Sequence, residues 1–180
     1  MYWIIIGIIV VVVVWIVAVF NALIQKRNRV KNAWSDIDVQ LKRRYDLVPN
    51  LVETVKGYAT HEAGVLENVT KARAAAMSAQ GPAKAEAENM LTGALKSLFA
   101  IAENYPQLRA TENFQQLQGQ LSTLVNDLQR ARRYYNASVR DLNTAVQVFP
   151  ANVVAGMFGF NQAEFFGVAE GERENVKVTF

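Results

Sequence analysis

From the N-terminal methionine to Gln25 no side chain carries a charge, and Ile and Val dominate the run from Ile4 to Phe20. A helix apolar on all sides is stable only where every side meets apolar surroundings. At 1.5 Å of rise per residue, about 20 such residues cross the roughly 30 Å hydrocarbon core of a bilayer, and this run has a few more to accommodate tilt. The competing reading is a cleaved signal peptide, which wants basic residues ahead of an apolar core of about 7–15 residues and a small-x-small cleavage site. Nothing basic precedes this core, and Ala18 and Ala22 do not make such a site. A retained anchor over residues 1–25 is therefore expected, with Tyr2 and Trp3 in the interfacial belt.

The charge that follows supports this placement. The chain has 19 basic and 16 acidic residues in 180, a net +3, which by itself points to no partner. Between Lys26 and Arg44 stand seven basic residues against Asp36 and Asp38 alone, whereas the rest of the chain has 12 basic and 14 acidic residues. The basic excess thus adjoins the apolar run, where an anionic lipid surface attracts it; no separate basic domain exists to grip nucleic acid. Lys26, Arg27, Arg29 and Lys31 are the expected membrane-surface residues. By the positive-inside rule they put the N-terminus outside and the bulk of the chain in the cytoplasm, as a single-pass protein. With no cysteine, the chain has no disulfide framework, thiolate nucleophile or Cys-ligated metal.

Beyond the anchor the apolar residues keep helical spacing: Val30, Trp34, Ile37, Leu41, then Val48, Leu51, Val55 and Tyr58. The pattern continues through Leu66 and Val69 to the Ala74–Ala76 run and stops at a turn over Ser78–Pro82. Pro49 interrupts it sterically, so a kink or short break is expected there. A second helix follows Pro82 and is closed by Pro106. A third starts near Thr111 or Asn113, with the seam Phe114, Leu117, Leu121, Leu124, Leu128, Ala131, Tyr135, Ser138, Leu142, Ala145 and Phe149. Short connections between long helices predict antiparallel neighbours. The fold class is all-α: an N-terminal transmembrane helix followed by an elongated antiparallel helical bundle with coiled-coil-like long helices. Its expected parts are the anchor at 1–25, the bundle at 26–149, and an apolar Phe-rich segment with a charged tail at 150–180.

Residues able to carry chemistry are few. His61 is the sole histidine. A zincin needs a second His four residues on, where Val65 stands, and a di-iron bundle needs two Glu-x-x-His pairs, whereas Tyr58 lies three before His61. Asp36 with Asp38, and Glu86 with Glu88, point apart as i,i+2 pairs on a helix and read as solvated faces. Arg130–Tyr135 interleaves basic and aromatic residues, but Tyr135 falls on the seam and Arg130 has Asp127 one turn away, so packing explains it better than nucleic-acid binding. No catalytic, cofactor-binding or metal residue is assigned. Arg44 occupies a seam position, where an arginine is costly unless paired. It either meets Asp46, Glu53, Asp127 or Asp141 to fix register, or snorkels outward on its buried stem.

Several strings together resemble the bacterial LemA family: Arg27–Arg44 (RNRVKNAWSDIDVQLKRR), Asp46–Tyr58 (DLVPNLVETVKGY), Ala102–Pro106 (AENYP), Asn113–Gln118 (NFQQLQ), Arg132–Asn136 (RRYYN), and Phe149–Pro150 followed by Phe158–Phe160 (FGF). The resemblance covers nearly the whole chain. It implies an N-terminally anchored helical protein of the bacterial inner membrane with no established enzymatic activity and no catalytic residues to carry over. The family includes a magnetosome-associated protein, and its members look like companions of membrane-embedded zinc metalloproteases.

The leading expectation is a non-enzymatic scaffold that self-assembles on the membrane and organises or remodels it; the alternative is an adaptor of a membrane metalloprotease or envelope stress pathway. The expected partners are the lipid bilayer and further copies of the chain, with a membrane protease as the alternative and no nucleic acid. Trp34, Arg43, Arg44, Asp46, Phe158, Phe160, Phe165 and Phe166 form the expected interaction surface.

Overall fold

The computed structural model describes residues 2–59, 61–81 and 83–167. Among these the chain forms α1 (Tyr2–Lys56), α2 (Ala63–Ser78), α3 (Ala83–Ala102), α4 (Pro106–Arg109), α5 (Glu112–Gln147) and α6 (Ala151–Met157), with no strand. The all-α expectation is met. The contacts divide the described chain into two compact units, the first from residues 2–37 and 131–165, the second from residues 38–130 and 166–167.

The core of the second unit is built at the predicted spacing. Leu41, Tyr45, Val48, Leu51 and Val55 are buried along α1, Leu66, Val69, Ala72 and Ala76 along α2, and Ala87, Leu91, Leu95 and Leu98 along α3. Each buried Leu or Val contributes on the order of 1.5–3 kcal/mol as an upper bound. The turn that includes Gly81, at φ +58°, joins α2 to α3, the left-handed conformation that glycine adopts without steric cost. From α5, Phe114, Leu121, Leu124 and Leu128 complete this core, with the Phe114 ring edge-on to Phe99 at 6.1 Å.

The first helix departs from expectation at its C-terminal end. Periodicity carried it through to the alanine run near residue 76, but the chain breaks at Gly57–Glu62, between α1 and α2. Gly57 is a poor helix former, and Tyr58 and Ala59 both donate to the Val55 carbonyl, closing the helix with a tightened last turn. Apolar spacing resumes beyond the break, so the pattern could not reveal it. Pro49, by contrast, lies inside α1 without ending it. Its missing N–H leaves the Tyr45 carbonyl without the usual partner four residues on. Arg73 Nε of α2 donates to that carbonyl at 2.7 Å and satisfies it. Truncation of Arg73 to Ala is expected to cost about 1–3 kcal/mol, because the carbonyl is left bare. In a Pro49→Ala background the regained helical bond makes the same truncation cheaper, which a double-mutant cycle by denaturant unfolding measures.

The first unit is assembled around the N-terminal part of α1. Leu23, Val30, Ala33 and Ile37 are buried, together with Tyr135, Ser138, Val139 and Leu142 of α5, Val154 and Ala155 of α6, and Phe160. Ahead of these, every large apolar side chain from Tyr2 to Val14 is between 48% and 85% exposed. Among the described residues nothing covers this stretch, so its apolar surface calls for a non-aqueous environment from elsewhere. At the other end, Phe149, expected to close the seam, is 76% exposed, because α5 ends at Gln147 and Pro150 turns the chain into α6.

Candidate membrane and interaction surfaces

The basic belt stands where the sequence puts it, at the foot of the apolar run. Arg27, Arg29 and Lys31 are exposed and Lys26 is half-buried. Arg27 also lies over the Phe160 ring at 5.2 Å, a cation–π contact that ties the belt to the C-terminal segment.

That segment returns along the first unit and is held by polar clamps. Asn143 donates from Nδ2 to the Ala163 carbonyl at 2.9 Å and accepts from the Ala163 N–H at 2.8 Å, mimicking a paired peptide. The Tyr135 hydroxyl donates to the Glu164 carbonyl at 2.9 Å, and burial, then the nearby Glu164 carboxylate, pushes this phenol above its ordinary range. The clamps seat Phe160 and Phe158 against Phe20, at ring separations of 5.7 and 4.8 Å. Asn143→Leu removes both bonds to Ala163, and cleavage by a protease within residues 158–167 is expected to quicken about tenfold, as roughly 1.4 kcal/mol of local stability is lost. Limited proteolysis followed by mass spectrometry reads this directly.

Of the expected interaction residues, Trp34 is half-buried and packs edge-on to Tyr135 at 5.3 Å. Phe160 and Phe166 are buried, Phe165 is half-buried and Phe158 is 51% exposed. A Cβ on Gly167 would lie 3.9 Å from the Ala85 side chain, which places the chain at this point beside the start of α3. The charged tail expected after it lies outside the described residues. Arg43 and Asp46 are exposed and line an open cleft of about 670 Å³ with Asn50, Gln120, Thr123 and Asp127.

Arg44 is the main correction. It is buried and belongs to a polar junction of three helices rather than to any surface. Its partner is none of the four carboxylates expected: Nη1 donates to Glu88 Oε2 of α3 at 3.0 Å and Nη2 to Thr92 Oγ1 at 2.9 Å. Glu88, read from sequence as a solvated residue, is fully buried. The Tyr45 hydroxyl faces the second Glu88 oxygen and the Ala76 carbonyl in the last turn of α2. Lys84 Nζ donates to the same carbonyl at 2.8 Å and sits 5.3 Å from the Tyr45 ring centre. Two cations, one carboxylate, one phenol and a helix-end carbonyl thus come together where α1, α2 and α3 meet. Burial lowers the Arg44 pKa from its usual value, and the Glu88 charge opposes that shift.

Burial, then the Glu88 hydrogen bond, raises the Tyr45 pKa well above 10.0. A raised folded-state pKa contributes stability that is present in full below the unfolded value near 10 and is lost as the pH climbs beyond it. Wild type is therefore expected to lose thermal stability above pH 10 faster than Tyr45→Phe, so that the gap between their melting midpoints narrows there. A gap independent of pH would remove Tyr45 as the cause.

Two features escaped the sequence reading. Glu88 carried no signal, since its partner lies 44 positions away. Asn143 was one polar residue among several flanking the seam. Among the described residues, no three His, Cys, Asp or Glu side chains cluster so as to hold a metal ion.

Comparison with known proteins places these features in context. The sequence model of the LemA family matches residues 33–180. Protein LemA of Metamycoplasma hominis is 26% identical over 161 residues, covering 87% of this chain and 72% of the relative. Magnetosome protein MamQ of Magnetospirillum gryphiswaldense is 22% identical over 174 residues, covering 82% of this chain and 64% of its own length. Magnetosome protein MamQ 2 of Paramagnetospirillum magneticum is 21% identical with the same coverage. The chain thus spans just under two thirds of the magnetosome relatives.

Proposed function

The chain belongs to the LemA family of membrane-associated helical proteins, and on that premise we propose that it is a non-enzymatic scaffold, anchored by α1, that self-assembles on the bacterial inner membrane and organises or remodels it. The observation that carries the reading is the bare apolar stretch Tyr2–Val14, continuous in one helix with the packed part of the fold. Such a surface is stable in lipid and unstable in water, at about 25 cal/mol per Å² of apolar area. The basic belt from Lys26 to Lys31 beside it suits an anionic leaflet, and the positive-inside rule supports a topology with the N-terminus outside and the remainder in the cytoplasm.

Support for self-assembly comes from the open cleft, where Arg43 stands with Asp46 and Asp127. Both signs of charge on one face suit a self-complementary contact. The names of the magnetosome relatives are consistent with work at a membrane-bounded structure.

Crosslinking in intact membranes tests the proposal. Ladders of the chain with itself, weakened by charge reversal at Arg43, are the expected result. Monomers alone would remove the scaffold, and co-purification of a stoichiometric membrane protease would replace it with the adaptor reading.

A further inference from the structure

Residues Leu142 to Ala163 include not one charged side chain. Within that run the fold leaves a cluster of large apolar groups uncovered: Val148 at 53%, Phe149 at 76%, Val153 at 52%, Met157 at 68% and Phe158 at 51% exposure. They lie at the end of α5, along α6 and just after it. In water this is an expensive and aggregation-prone surface.

Its position along α1 gives the surface a use. Val154, Ala155 and Phe160 form one apolar cluster with Leu23, and Ile16, Val19, Phe20 and Ile24 pack on that cluster. Phe20 is 18 residues beyond Tyr2, about 27 Å along a helix, and Ile16 about 21 Å. With Tyr2 and Trp3 at one face of a roughly 30 Å hydrocarbon core, Phe20 falls just inside the opposite face and Ile16 deeper. Arg27, seven residues past Phe20, is then about 10 Å further, among the headgroups. Whatever packs on Ile16 and Phe20 shares their depth. The α6 segment therefore enters the same leaflet as the lower end of the anchor.

We propose that the turn from α5 into α6, presenting Val148, Phe149, Val153, Met157 and Phe158, is a second membrane element: a re-entrant apolar wedge that sits in the headgroup–acyl boundary beside the transmembrane helix. The occupant of this face is lipid, because Phe158 of the face lies against Phe20 of α1 at 4.8 Å and because the basic belt adjoins it through the Arg27–Phe160 contact. Several backbone groups at the turn are paired within the protein. Asn143 pairs with the Ala163 backbone, and the Asn152 and Val153 N–H groups donate to the Val148 and Pro150 carbonyls. Insertion in one leaflet only widens that leaflet, as interfacial amphipathic elements do. The wedge rests on the membrane reading of α1 given above.

The absence of cysteine allows one label per molecule without background. Val10→Cys, Val153→Cys, Met157→Cys and Gln107→Cys, each made in the full-length chain, carry an environment-sensitive fluorophore. Each is reconstituted in vesicles of phosphatidylethanolamine and phosphatidylglycerol with nitroxide-labelled lipids. Expected are strong quenching at 10 by deep nitroxides, several-fold preferential quenching at both 153 and 157 by shallow nitroxides, and none at 107. Quenching at 10 with wet, unquenched labels at 153 and 157 overturns the wedge and leaves the anchor standing. Dry but unquenched labels at 153 and 157 mean that protein, such as a second copy, covers the face, and this also overturns it. No quenching at 10 removes the membrane reading, and the wedge with it.

Discussion

Replacing Glu88 by Leu is expected to destabilise the second unit by about 3–5 kcal/mol, the largest effect of any single exchange outside the anchor. The change strands Arg44, which is buried and retains only Thr92 as a partner. A guanidinium does not shed its proton, so the stranded charge cannot be neutralised in place. It also removes one of the two oxygens that the Tyr45 hydroxyl faces, leaving the Ala76 carbonyl. The reverse exchange, Arg44→Met, should cost less, because a carboxylic acid can take up a proton and Tyr45 remains beside it. The double variant Arg44→Met with Glu88→Leu should recover most of the loss, since an apolar pair of similar volume replaces the ion pair without stranding either charge. Denaturant unfolding of the full-length chain in detergent, followed by circular dichroism, gives the three values. Equal costs for Glu88→Leu and the double variant would show that the junction acts through shape and not through charge.

The second large effect concerns α1. Val10→Asp, Val12→Asp and Val14→Asp together put three carboxylates in the middle of the bare stretch. Each costs about 2.5–3.5 kcal/mol at the centre of a spanning helix, against roughly 0.3–0.6 kcal/mol gained per Ile or Val. The sum removes the advantage of insertion. The triple variant is expected in the soluble fraction after alkaline carbonate washing, whereas the wild type stays with the membranes. Because none of the three side chains is covered by protein, the packed units should keep their helical content, and circular dichroism checks that the change acts on anchoring alone.

The long apolar N-terminal helix, the helix boundaries near Pro106 and Pro150 and most of the α5 seam were legible because each is a local property of the sequence. Spacing of three and four reports which face is apolar, and proline reports where a helix stops. What spacing does not carry is the identity of the neighbour. For Arg44 the sequence left two outcomes open, pairing with a carboxylate or snorkelling outward, and the choice of Glu88 over Asp127 or Asp141 depends on α3 packing at that point. The break at Gly57–Glu62 escaped because the apolar phase is kept across it, and at Pro49 the helix continues, with Arg73 from a separate helix satisfying the carbonyl that proline leaves bare. Phe149 fitted the seam by spacing, but α5 ends before it. The clamp from Asn143 to Ala163 spans 20 positions and joins a helix to irregular chain, for which no periodicity exists.

The junction fixes the second unit and the clamp the first, each within itself, and the proposed scaffold role requires that copies of the chain meet. The most direct measurement is the mass of the full-length chain extracted from membranes in mild detergent, by light scattering corrected for bound detergent. The scaffold account predicts a discrete homomeric particle, a whole multiple of the 20.1 kDa chain, that charge reversal at Arg43 reduces. A particle containing one chain, unchanged by that substitution, would contradict it.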